Sequence, residues 1–262
     1  MKINCVIVTY NRLSLLKECI SALKNQTYKI NKIYIINNNS TDGTSDYLQE
    51  LIADSQFVII NLPQNIGGAG GFSEGIKRVV LDGCDWAWIM DDDTIPMNNA
   101  LEELVKGTTV TKNVGYVCSR VVWTDGMIHK MNIPRFDCEN KQHLPINYYS
   151  NLADVLLIRA ASFVSLLINS KAVREVGLPI KEFFIWGDDT EFTTRIYQHG
   201  YVCLYASQST VIHKTTENYI SQLQNAPVEA LWKFQYGFRN DIFLRRMRKK
   251  NFLFFISVIN AY

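Results

Sequence analysis

Strand-type and helix-type segments alternate through the first third of the chain, and this constrains its fold more than any other feature. Ile3-Asn4-Cys5-Val6-Ile7-Val8 is a short apolar run rich in branched residues, the pattern of a parallel strand buried on both faces. From Arg12 onward, Leu15, Leu16, Cys19, Ile20 and Leu23 recur at helical spacing. Residues 32–36 read as a second strand, and the turn Ser40-Thr41-Asp42-Gly43-Thr44 leads into a helix carrying Tyr47, Leu48, Leu51 and Ile52. Residues 57–60 form a third strand, followed by a glycine-rich turn and a helix through Ile76, Val79, Val80 and Leu81. A fourth strand, residues 85–90, runs into Asp91-Asp92-Asp93. The alternation predicts an α/β fold: a mostly parallel central sheet flanked by helices, with ligands outside the carboxyl ends of its strands.

The middle of the chain is less regular. Residues 114–122 read as a strand, Thr124-Asp125-Gly126-Met127 as a hairpin turn, and residues 134–149 as a long polar and aromatic loop. Residues 162–168 return as a buried strand, and Asp189 to His199 fit a helix closed by Gly200. With no repeat or linker in view, the expected organisation is one compact unit, residues 1–215, and a C-terminal helical extension, residues 216–262.

Composition removes several function classes. A net charge of +2 over 262 residues excludes a whole-surface nucleic-acid binder. The six cysteines contain no CxxC pair, which argues against a zinc or redox motif and fits reduced cytosolic thiols. The apolar start is too short for a signal peptide, so export is not expected, and no run approaches the ~20 apolar residues of a spanning helix.

Three clusters can carry chemistry. Asp91 and Asp93, at i and i+2 of an extended segment, point the same way and could share a hard divalent cation such as Mg²⁺ or Mn²⁺. The alternative is a solvated acidic loop in which Asp93 or Thr94 caps the next helix. Asn65-Ile66-Gly67-Gly68-Ala69-Gly70-Gly71-Phe72 opens a helix and lets backbone approach a ligand. Ser73 spoils a dinucleotide fingerprint and no Gly-Lys-Ser/Thr is present, so a tight turn with close helix packing explains the run equally well. Trp186-Gly187-Asp188-Asp189-Thr190-Glu191 supplies one helix cap and acidic residues beyond what a cap needs, which suits a general base beside a sugar-stacking ring. His213 ends an apolar strand and is either a metal ligand or a buried, hydrogen-bonded residue.

Val8-Thr9-Tyr10-Asn11-Arg12, Asn37-Asn38-Asn39-Ser40-Thr41-Asp42-Gly43-Thr44, the aspartate triplet and the Trp-x-Asp-Asp corner occur in that order. Together they resemble the inverting family 2 glycosyltransferases, which have a GT-A fold and use nucleotide sugars; the resemblance covers residues 2–215. The glycine run, the triplet, the Trp186 corner and Tyr236-Gly237-Phe238-Arg239-Asn240 resemble the galactofuranosyl- and rhamnosyltransferase branch. The resemblance implies that Thr9, Tyr10 and Arg12 border the nucleotide and that Asn39 contacts its uridine or ribose side. It also implies that Gly68, Ala69, Gly70, Gly71 and Asp92 lie by the donor. Asp91 or Asp93 would hold Mn²⁺ or Mg²⁺ with His213. Asp189 would be the general base, Asp188 would orient the acceptor, and Trp186 would shape the acceptor pocket; Gly187 separates Trp186 from the aspartates where many relatives have them adjacent, so Asp188 and Asp189 both stay open as the base.

The expected reaction is transfer of galactofuranose from UDP-galactofuranose to a growing O-antigen or capsule acceptor, lipid-linked or oligosaccharide. A dTDP-rhamnose transferase and a non-catalytic nucleotide-sugar or glycan-binding module are the alternatives. Residues 238–255 place Arg239, Arg245, Arg246, Arg248, Lys249 and Lys250 before Phe252-Leu253-Phe254-Phe255. A basic amphipathic segment of that kind suits an anionic membrane surface, so a cytoplasmic protein peripheral on the inner face of the membrane is expected. Packing on the domain or on a second subunit is the competing use of that segment.

Overall fold

A computed structural model describes residues 1–137 and 154–248, the side chain of Arg248 excepted. The first half follows the alternation. Strands β1 (Ile3–Thr9), β2 (Lys32–Asn37), β3 (Phe57–Asn61) and β4 (Trp86–Asp91) are separated by helices α1 (Leu13–Lys24), α2 (Thr44–Leu51) and α3 (Gly67–Leu81). They pair in parallel in the order β3-β2-β1-β4. β1 shows why this half was readable: Ile3, Cys5 and Ile7 pack with Leu16, Cys19 and Leu23 of α1, while Val6 and Val8 pack with Phe72, Ile76 and Val79 of α3. Both faces are apolar, as a helix-covered parallel strand requires.

The second half departs from a parallel sheet. After β5 (Thr94–Pro96) and α4 (Ala100–Thr108) come β6 (Val114–Val122), β7 (Arg135–Phe136), β8 (Val155–Ala160) and β9 (Leu166–Asn169). Then follow α5 (Ser170–Val176), α6 (Asp188–Gln198), β10 (Val202–His213) and α7 (Leu231–Arg248). The sheet continues β4-β9-β6-β10-β8-β7, with β5 on β10; β6 and β10 are parallel, and the other new pairs are antiparallel. The result is a mixed α/β sheet flanked by helices.

The strand expected over 162–168 is shorter, because Ser165 has φ 57 and turns the chain before Leu166. Its hydroxyl accepts a hydrogen bond from the indole of the fully buried Trp88 at 3.0 Å, which anchors the turn. The turn at residues 124–127 closes a single antiparallel bridge between Val122 and Ile128. The loop expected over 134–149 includes β7, and its residues from 138 onward lie outside the described residues.

The glycine run is the first turns of α3 rather than a turn before it. A Cβ on Gly71 would stand 2.6 Å from Val8 Cγ1, and one on Gly75 would stand 2.4 Å from Val6 Cγ1. These two glycines let α3 lie on β1, which sets the helix N-terminus over the strand ends. In α7, apolar and basic residues are spread around the helix rather than sorted onto two faces, unlike the expected amphipathic segment; residues 249–262 lie outside the described residues. Among the described residues no helix is long and apolar enough to cross a membrane.

Candidate active site

The carboxyl ends of β1 and β4 and the end of β10 converge on one cleft of about 240 Å³, lined by Asp91, Asp93, His213, Trp186, Asp188 and Asp189 among others. His213 lies 120 residues from the aspartate triplet in sequence and reaches it through the short strand β5. Antiparallel pairing of β5 with β10 sets Thr94 opposite His213. As a result, ligand atoms of Asp91, Asp93 and His213 all lie within 4.8 Å of one another.

The triplet divides its work. Asp92 faces inward: its Oδ2 accepts hydrogen bonds from Thr9 Oγ1 at 2.8 Å and from the Tyr10 backbone N–H at 3.3 Å, latching the end of β4 to the loop after β1. Asp93 Oδ2 accepts from Arg12 Nη1 at 2.5 Å, and the same nitrogen donates to Asp92 Oδ1 at 3.3 Å. Asp93 Oδ1 is buried, has no hydrogen-bond partner, and lies 3.2 Å from His213 Nε2.

Charge follows from this crowding. Burial and the neighbouring Asp93 push the Asp91 carboxyl up to about 6. Burial also pushes Asp92 up to about 7 despite the attraction of Arg12. Burial would raise Asp93 too, but His213 and Arg12 outweigh it and hold Asp93 well below the usual carboxylate range. Three adjacent carboxylates with one buried oxygen unsatisfied are a donor set that a hard divalent cation completes, so these residues fit Mn²⁺ or Mg²⁺.

His213 is oriented for such a role. Its Nδ1 lies 2.8 Å from Asn132 Oδ1, which fixes the ring with Nε2 facing Asp93 and Asp91; in the cation-bound site a proton on Nδ1 would leave the Nε2 lone pair to ligate the metal. The ring of His129 packs 4.5 Å from that of His213, and His129 Nε2 shares a 2.8 Å hydrogen bond with Thr215 Oγ1. Burial, reinforced by His213, lowers His129 to about 4, so it packs there as a neutral ring. No local motif marks His129 or Asn132; only the β6–β10 pairing brings them to the site.

The second carboxylate pair opens α6, where the helix N-terminus favours negative charge. Burial, then the charge of Asp189, raises Asp188 well above the ordinary carboxylate range, and burial raises Asp189 as well. The corner before them is held by force. Phe184 and Trp186 are non-glycine residues at φ 64 and 65, and Gly187 stands at φ 89. Asn240 of α7 donates its amide to the carbonyls of Phe183, Ile185 and Trp186 at 3.0, 3.1 and 2.7 Å. Arg239 donates to the carbonyls of Glu182 and Phe183. Tyr236 stacks on Phe184, and Phe234 meets Trp186 edge-on. The Tyr236-Gly237-Phe238-Arg239-Asn240 element is therefore a clamp on the acid corner.

A neighbouring cleft of about 180 Å³ is lined by Thr9, Tyr10, Asn38, Gly68, Asp92 and Trp232 among others. Asn38, rather than Asn39, faces it: Asn38 Oδ1 accepts from the Ile66 N–H and Nδ2 donates to the Gly67 carbonyl. Asn39 sits at φ 64 and points to solvent. Within the glycine run, Gly68 and Ala69 line the central cleft, whereas a Cβ on Gly70 would meet Ile66 and one on Gly71 would meet Val8. Gly70 and Gly71 thus serve packing. Lys233 of α7 lines both clefts, a residue that no sequence motif singled out.

The sequence profile described as Glycosyl transferase family 2 matches residues 5–177. The chain is 26% identical over 213 residues to galactofuranosyltransferase GlfT1 of Mycolicibacterium smegmatis, covering 77% of this chain and 68% of that protein. It is 24% identical over 209 residues to GlfT1 of Mycobacterium tuberculosis, covering 74% of this chain and 64% of that protein. Among solved structures, GalNAc-T7 with UDP, GalNAc and Mn²⁺ superimposes with a TM-score of 0.66 at 16% identity. That match covers 82% of this chain and 44% of the other, so the likeness is one of fold.

Proposed function

Because the chain belongs to glycosyl transferase family 2, we propose that it transfers galactofuranose from UDP-galactofuranose to a hydroxyl of a growing surface polysaccharide, O-antigen or capsule, with inversion. The observation that carries this reading is the shared cleft, in which Asp91, Asp93 and His213 stand with the acid pair Asp188 and Asp189. Similarity to galactofuranosyltransferases over about three quarters of the chain supports the choice of sugar.

In this reading the nucleotide lies in the cleft lined by Thr9, Tyr10 and Asn38, with the backbone at Gly68 beside the diphosphate. Asp91, Asp93 and His213 would hold Mn²⁺ or Mg²⁺, which when bound would supply positive charge against the departing diphosphate. Arg12 donates to both Asp92 and Asp93 and so ties the triplet to the start of α1. Trp186 shapes the acceptor pocket and Asp188 orients the acceptor. Asp189 accepts the hydroxyl proton while the acceptor oxygen bonds to the anomeric carbon and the bond from that carbon to the diphosphate oxygen breaks. A carboxyl raised by burial holds a proton more strongly, which suits a base working near neutral pH.

Residues 1–215 supply the carboxylates and His213, while residues 216–262 supply Lys233 and the Asn240 clamp and also place the protein at the cytoplasmic face of the membrane, beside a lipid-linked acceptor. The exposed Ile242 and Met247 of α7 support that placement. Co-sedimentation with anionic but not neutral vesicles is the expected behaviour, and sedimentation with neither would remove the membrane from the account.

The test of function is nucleotide release from a panel of UDP-galactofuranose and dTDP-rhamnose with polysaccharide acceptor fragments. Acceptor-dependent UDP release supports the reading. Release of dTDP instead would identify a rhamnosyltransferase, and tight nucleotide binding without turnover of either donor would identify a binding module.

A further inference from the structure

The central cleft, the nucleotide-side cleft and a third pocket beside Lys214 and Tyr219 have two cationic residues in common, Arg12 and Lys233. The two are in different states. Arg12 is engaged by Asp93 at 2.5 Å and Asp92 at 3.3 Å, so its charge is already neutralised by the triplet. Lys233 is half-buried and makes no hydrogen bond or ion pair with any described residue. Its ammonium stands 5.9 Å from the Trp232 ring centroid, at the outer limit of a cation–π contact.

Withdrawing an ammonium from water without a partner costs free energy, and the fold gains nothing from it unless an anion arrives. Lys233 lines the cleft of Thr9 and Asn38 as well as the cleft of Asp91, Asp93 and His213. A nucleotide in the first, with its phosphates directed to the second, carries its diphosphate past this residue. We propose that Lys233 is the protein's own cationic contact to the donor diphosphate, while Arg12 serves the aspartate triplet. The inference rests on the nucleotide-sugar reading above. As the glycosidic bond breaks, the bonding pair stays with the diphosphate oxygen, which gains one negative charge. A fixed ammonium beside it stabilises that charge together with the cation site.

The test is calorimetric titration of UDP, dTDP, inorganic pyrophosphate and uridine, each with Mn²⁺, on wild type, Lys233→Met and Lys233→Arg. Lys233→Met should weaken UDP and pyrophosphate about 10- to 100-fold, the range of a hydrogen bond to a charged group, and leave uridine unchanged. Lys233→Arg should restore most of the lost affinity, and neither substitution should lower the melting temperature. Equal weakening of UDP and uridine, or unchanged UDP and pyrophosphate affinity in Lys233→Met, overturns the assignment while leaving the function intact. Failure of wild type to bind any of the phosphates overturns both.

Discussion

Replacing Asn240 with alanine should loosen the acid corner and cost the protein both stability and turnover. The Asn240 side chain is buried, with 2% of the residue exposed, and its one amide group serves the three carbonyls of Phe183, Ile185 and Trp186. Two N–H bonds cannot fully satisfy three acceptors, and Arg239 also donates to the Phe183 carbonyl. The uncompensated loss therefore falls on Ile185 and Trp186. At about 1–3 kcal/mol for each buried carbonyl left without a donor, partly relieved by water, a total of about 2–4 kcal/mol is expected. For a chain of this size that lowers the melting temperature by roughly 5–15 °C. The clamp also holds Phe184 and Trp186 at positive φ, a conformation the corner is free to leave once the clamp is gone. Relaxation moves Trp186 and the start of α6, so turnover should fall much more than Mn²⁺-supported UDP affinity, because Asp91, Asp93 and His213 sit on other elements. Thermal melting, calorimetry with UDP and donor turnover measure the three quantities. An Asn240→Ala protein that melts within about 1 °C of wild type and turns over normally would refute the clamp argument.

Two further outcomes follow from the charges. Asp189→Asn should lower turnover about 10²–10⁴-fold with UDP affinity nearly unchanged; if Asp188→Asn does this and Asp189→Asn does not, the base is Asp188. Asp91 and Asp92 have folded pKa values of about 6 and 7, above their ordinary 3.8, so the folded state binds more protons than the unfolded state between about pH 4 and 7. His129, lowered to about 4, pulls the other way over the same range, but the two raised carboxyls outweigh it, so without divalent metal the melting temperature should fall as pH rises across that window; calorimetric melts that rise instead would contradict this balance of charges.

The parts of this molecule visible in its sequence are those set by local pattern. β1, β2 and β4 are readable because each is a short apolar run buried on both faces, β3 because its half-buried edge run is still apolar, and the helices between them repeat their apolar residues at helical spacing. The aspartate triplet and the Trp186 corner stood out because like charges cluster where secondary structure alone does not need them. What pattern could not show is pairing at a distance. The mixed second half depends on β9 inserting between β4 and β6, which no local feature of Leu166–Asn169 dictates. Residues 162–165 have strand-like composition, yet the positive φ of Ser165 makes them a turn in which Ser162, Phe163 and Val164 line the cleft. Asn38 and Asn39 are indistinguishable in sequence; the left-handed backbone at Asn39 turns it to solvent and leaves Asn38 facing the cleft. Asn132, His129 and Lys233 reach the site only through the arrival of β10 and α7.

The central claim is that the Asp91, Asp93 and His213 cluster holds a divalent cation that in turn supports nucleotide binding in the adjoining cleft. The most direct measurement is UDP affinity with Mn²⁺ and with a chelator, on wild type and Asp93→Ala, with melting curves to establish that both are folded. The account predicts Mn²⁺-dependent UDP binding in wild type and loss of the Mn²⁺ dependence in a folded Asp93→Ala. Equal UDP affinity with Mn²⁺ and with chelator in wild type, or unchanged Mn²⁺ dependence in Asp93→Ala, would contradict it.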